Sequence, residues 1–141
     1  MCINSNVNIL NNNLGLYMFS SVIQSFKVTE TNKYIRSQKG IHISKGVYII
    51  GYKAYTHADN DTYINTKIDT EKEDFILFEK ELEMPISTLL QNFDGYGLPY
   101  PRSVTNIMMY HFTNETDLYF YIKASKTIAF IPYEIWLVKI K

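Results

Sequence analysis

The sequence predicts an α+β domain built on a mainly antiparallel β-sheet with one to three short helices. Three observations carry this. Segments rich in β-branched and aromatic residues outnumber helical patterns, they arrive in runs, and turn residues separate them.

The first 26 residues carry no charged side chain, and Lys27 is the first charge. Residues 1–13 are Asn-rich and read as a flexible lead. Residues 14–26 are apolar enough for a buried strand or short helix, so a single globular domain is expected over 14–141. Met18 offers a second start. Secretion is the minority alternative here, because a signal peptide wants Lys or Arg before its apolar stretch and none is present. The apolar run also falls short of the ~20 residues that cross a bilayer, so no membrane association is expected.

Further along, "TETNKYIRSQKG" (29–40) has a capping-type Thr and a closing Gly40, as a short helix would. "GVYIIGYKAY" (46–55) reads as a strand with Tyr48, Ile50, Tyr52 and Ala54 on one face. The polar segment 57–74 reads as loops around a short strand, and "DFILFEKELE" (74–83) as another strand. In "MPISTLLQNF" (84–93), Pro85 suits a first helical turn, and Ile86, Leu89, Leu90 and Phe93 share one helical face. "FDGYGLPYPRSV" (93–104) packs two Gly and two Pro into a loop of defined shape. "TNIMMYHF" (105–112), "DLYFYIKA" (117–124) and "TIAFIP" (127–132) follow one another as a β-meander. "PYEIWLVKIK" (132–141) opens on Pro132 like a helix, but its β-branched content suits a strand as well.

Fourteen basic residues balance fourteen acidic ones, so no global basic field draws in nucleic acid. Heavy use of Lys, Ile, Asn and Tyr, all with A/T-rich codons, points to an AT-rich genome such as that of a virus, phage, mobile element or low-GC bacterium. Cys2 is the only cysteine, which excludes a disulfide framework and a cysteine zinc knuckle. A cytoplasmic location follows as the default, the host cytoplasm if the source is viral. P-loop, HExxH and EF-hand signatures are missing, and neither cofactor nor metal is expected.

Three histidines remain. His57 lies near Asp59 and Asp61 in the polar segment and reads as solvated. His42 and His111 each begin a His-apolar-hydroxyl triplet, with Ser44 and Thr113 as the hydroxyls. Within a strand, positions i and i+2 share a face, so each triplet would present an imidazole beside a hydroxyl. Two imidazoles can divide the acid and base roles at a phosphodiester while the hydroxyls hold the phosphate. In these four residues the chain resembles the 2H phosphoesterases, named for two His-x-Ser/Thr motifs on paired strands. That resemblance implies a metal-independent phosphodiesterase acting on RNA or cyclic nucleotides, with His42, Ser44, His111 and Thr113 as its site. The family motif continues as an apolar strand after the hydroxyl. Here Lys45-Gly46 and Asn114-Glu115 follow instead, so both motifs fall at strand ends.

The leading expectation is a different one. With no complete catalytic signature, a neutral charge and twelve Tyr, the sequence reads as a small binding protein with a protein partner, a nucleotide or RNA being the alternative ligand. Most strand tyrosines are expected in the sheet core. Tyr96, Tyr100 and Arg102, in the Gly/Pro loop, are the expected contact residues, because loops on rigid scaffolds carry function.

Overall fold

The computed structural model describes residues 18–59, 61–83 and 100–141. Eight strands run through them: β1 (Met18–Val28), β2 (Ile35–Ile43), β3 (Gly46–Ala58), β4 (Ile64–Asp69), β5 (Leu77–Glu81), β6 (Tyr100–Phe112), β7 (Thr116–Ala124) and β8 (Ile128–Lys139). They form two four-stranded antiparallel sheets, ordered β1-β8-β3-β6 and β2-β7-β4-β5. Eight strands in two sheets with this order make a jelly roll.

The fold is therefore all-β, and the expected α+β class is corrected: no helix occurs among the described residues. Segment 29–40 gives way to β2, where Ile41 and Ile43 point into the core and His42 points out. A helix would have scattered those isoleucines round its circumference. Segment 132–141 belongs to β8, which continues through Pro132. Pairing of β8 with β3 begins only at Tyr133, so Pro132 occupies a position with one unpaired side, where a missing N–H is tolerated. The helix expected over 84–93 lies outside the described residues.

The meander is corrected too. β6 belongs to the first sheet, β7 to the second and β8 to the first again. Turns at 114–116 and 124–126 were expected to return the chain to a neighbouring strand, and the connections fall at 113–115 and 125–127. Instead they carry it across the sandwich. Each strand has one strongly apolar face, and facing strands from opposite sheets bury it just as well as strand neighbours in one sheet.

Between the sheets lies the core. Ile50, Tyr52, Ile135 and Leu137 come from the first sheet and Ile68, Leu118, Phe120 and Ile122 from the second, all at most 2% exposed. Full burial of a side chain of this size stabilises by about 1.5–3 kcal/mol. Two aromatic contacts fix how the layers meet. Tyr133 stacks on Phe120 with centroids 4.3 Å apart, and the Tyr52 hydroxyl pairs with Thr66 Oγ1 at 2.7 Å and donates to the Phe78 carbonyl at 3.1 Å. The buried phenol thus has its partners on the opposite sheet, which sets the layers in one register.

Candidate functional site

Because side chains alternate, each sheet has an outer face, and the two differ. On the second sheet the outward positions are polar. Asn65, Lys67 and Asp69 of β4 stand opposite Lys123, Tyr121 and Tyr119 of β7, and Arg36 of β2 completes the middle row. These groups satisfy one another. Lys67 donates to Asp69 Oδ2 and Glu73 Oε1, both at 3.0 Å, and lies under the rings of Tyr34 and Tyr121 at 4.6 and 4.9 Å. Burial alone would lower the Lys67 pKa, but the hydrogen bonds to Asp69 and Glu73 outweigh it and hold the ammonium up. Arg36 stacks on Tyr119 at 4.4 Å. Tyr34 donates to Glu79, and burial followed by that bond pushes its hydroxyl well above the usual phenol range.

The first sheet is the reverse. Its outer face runs in cross-strand rows: Phe19, Val138, Ile49 and Met109; then Ser21, Trp136, Gly51 and Ile107; then Ile23, Glu134, Lys53 and Thr105. Pro132 beside Ser25 and Tyr55 beside Ser103 continue the pattern. Several of these apolar side chains are open to solvent: Ile23 is 56%, Ile107 63% and Met109 62% exposed. Phe130, beyond Pro132, is 60% exposed. Trp136 lies over Gly51, where an added Cβ would overlap its ring. Only glycine lets the indole lie that close to the sheet. Lys53 and Glu134 are the only charged residues in these rows, and they pair with each other at 3.6 Å. A shallow depression of about 430 Å³ sits above them, bordered by Ile23, Tyr55, Thr105 and Pro132.

The expected site residues fall elsewhere. Tyr96 lies outside the described residues, and Tyr100 opens β6. Arg102 is buried, its guanidinium donating to the Thr62 carbonyl at 2.9 Å and the Asp59 carbonyl at 2.5 Å, so it ties the β3–β4 connection to β6. His57 is the penultimate residue of β3, on the outer face, with Tyr55 Oη 3.0 Å from its Nε2. Asp59 and Asp61 are turned to Lys126 instead.

His42 and His111 stand on strands of different sheets, each on the outward side. His42 Nδ1 lies 2.7 Å from Asp117 Oδ1 and Nε2 3.1 Å from Glu115 Oε1, and the ring donates to both carboxylates when protonated. The hydrogen bond to Asp117, then that to Glu115, raises its pKa. A phosphate approaching this ring would meet two carboxylates. Both strands end before their hydroxyls, β2 at Ile43 and β6 at Phe112. Ser44 is spent on Tyr48, at 2.8 Å, and on Lys139, which donates at 3.0 Å. Thr113 borders a depression of about 330 Å³ with His111 and Glu115, but His42 does not line it.

The fold and this surface define a class: a jelly-roll sandwich with an open, apolar outer sheet. Jelly rolls serve in viral capsid and lectin domains and in cupins. No protein family and no curated protein matches the sequence. Among solved structures, that of the infectious bursal disease virus Gx strain is similar over 88% of this chain and 32% of its own, at TM-score 0.51 and 9% identity. This chain therefore spans about a third of that one. The VP2 subviral particle of infectious bursal disease virus gives 0.47 at 8% identity, over 88% of this chain and 33% of its own. A carbohydrate-binding module from Cellvibrio mixtus lichenase 5A, solved with cellotriose, gives 0.38 at 14%, over 84% and 88%. At these identities the first likeness is one of fold alone, and the other two carry no argument. No helix among the described residues is long and apolar enough to cross a membrane.

Proposed function

We propose that this chain is a small binding module that engages a protein partner through the outer face of the β1-β8-β3-β6 sheet. One observation carries the reading: exposed Ile23, Ile107, Met109 and Phe130 on a face whose only central charges neutralise each other. Leaving such a face in water forgoes about 25 cal/mol per Å² of apolar burial, and a protein surface recovers it on docking. The opposite face offers no comparable gain, since its charged groups already have partners. The A/T-leaning residue usage suits a virus or mobile element as the source.

The test is a photo-crosslinking residue in place of Ile107 on the first sheet, against one in place of Lys123 on the second. Adducts from position 107 should exceed those from position 123 by about tenfold or more, and Met109→Glu should abolish them, since a buried unpaired charge costs several kcal/mol. Equal yields from the two faces, or adducts indifferent to Met109→Glu, would remove this face from consideration.

A further inference from the structure

The apolar face has a charge pattern that selects its occupant, and we infer that the occupant is a second copy of this chain. This inference rests on the reading of that face as a binding surface. Lys53 of β3 and Glu134 of β8 are cross-strand neighbours on the two central strands of the sheet. Two copies packed face to face are related by a two-fold axis lying in the contact plane. If that axis ran across the strands along this row, Lys53 would oppose Lys53 and Glu134 would oppose Glu134, and an axis across another row would set the charges against apolar side chains. If it runs along the strands, between β8 and β3, each Glu134 opposes Lys53 of the other copy, and two intermolecular ion pairs form.

The other rows follow from the same axis, which also sets Ser21 opposite Ile107 and Ile23 opposite Thr105. Val138 of one copy then meets Ile49 of the other, and Phe19 meets Met109. Trp136, which leans from β8 over Gly51 of β3, lies at the axis, so the two indoles meet there. Aromatic anchors at the centre of an interface, ringed by smaller contacts, are where binding energy concentrates. The area suffices. With strands ~4.8 Å apart and rows ~6.8 Å apart, the face covers about 500 Å² per copy, or roughly 1,000 Å² for two, the lower bound for a specific interface. A dimer of moderate affinity follows, formed in the micromolar to millimolar range rather than obligate.

The chain contains one tryptophan, so the indole reports on its own interface. Sedimentation velocity of the full chain over a wide concentration series should show the mass rising from 16.5 kDa towards twice that value, with Trp136 emission shifting to the blue in step. Lys53→Glu and Glu134→Lys should each weaken association on the order of 10²-fold, because each places like charges together in the contact. Mixing these two variants should restore it, since every carboxylate of one then faces an ammonium of the other. Their retained far-UV circular dichroism, and the mixing itself, guard against mere misfolding. A wild-type monomer up to about 1 mM, with Trp136 emission unchanged, overturns self-association. So does a mixture that stays monomeric, or association that survives Met109→Glu. If the wild type is monomeric while crosslinking from position 107 persists, the binding face stands and its partner is a different protein.

Discussion

The two outer faces of the sandwich are built by the same alternation on similar strands, yet one is chemically closed and the other open. On the second sheet, Lys67 is 4% exposed although its side chain points away from the core. It is covered by Tyr34, Tyr121 and Glu73, and Asp69 beside it is fully buried. That face has its own small interior, held by charge and aromatic rings. On the first sheet the outward row of Ser21, Trp136, Gly51 and Ile107 carries no charge, and its Ile107 is 63% exposed. Polar groups can complete one another within a chain because they are directional and paired. Apolar groups can only be covered, and a flat sheet face has to be covered by something else.

The contrast can be broken hardest on the closed side. Lys67→Ala leaves Asp69 as an unpaired buried carboxylate and should cost about 3–5 kcal/mol in urea unfolding. Lys67→Met combined with Asp69→Asn should recover much of that loss, because no uncompensated charge remains. If Lys67→Ala costs under ~1 kcal/mol, the second face is an ordinary solvated surface and the contrast fails. Next in size is Gly51→Ala. Its Cβ would overlap the Trp136 ring, and displacing the indole should cost about 1–3 kcal/mol, largely relieved by adding Trp136→Leu. Ile107→Thr on the open face should change stability by no more than about 0.5 kcal/mol while it reduces dye binding to exposed apolar surface. A larger loss would mean that Ile107 is already covered within the molecule.

The smallest effect belongs to His42, and its sign is fixed by geometry. Asp117 and Glu115 raise its folded pKa above the ordinary 6.5. Its contribution is therefore fully present below pH 6.5 and is lost as pH rises through the raised value. The Tm of the wild type should decline slightly across that window. In His42→Gln the decline should be missing, and an unchanged pH profile would show that the exposed pairing does nothing for stability.

Much of the strand content was legible. The alternation of Tyr48, Ile50, Tyr52 and Ala54 identified β3 and its core-facing side, and all four are buried. Partner strands were not legible, because alternation marks a face without saying which sheet will cover it. Hence three strands in succession suggested a meander where the chain crosses the sandwich at each turn. Pro132 suggested a boundary inside β8, since its tolerance depends on where β3 stops pairing, a tertiary fact. The open apolar face of the first sheet did leave a signal in the sequence. "GVYIIGY" in β3 and "NIMMY" in β6 are apolar on both faces, and only one face of a two-layer sandwich can be core. The histidine triplets lie at the ends of β2 and β6, and no local residue says whether two such strands meet.

The position of β8 has a consequence for how the molecule comes into being. It lies between β1 and β3, so until it is made the first sheet consists of a lone strand and a β3–β6 pair with nothing to join them. Both strands that flank the gap precede it in the chain, β1 by more than ninety residues. Pairings this distant in sequence are slow, on the scale of milliseconds to seconds, and a nascent chain must keep its unpaired edges solvated in the meantime. On the ribosome, β8 is the keystone: the arch stands open until the last strand drops in.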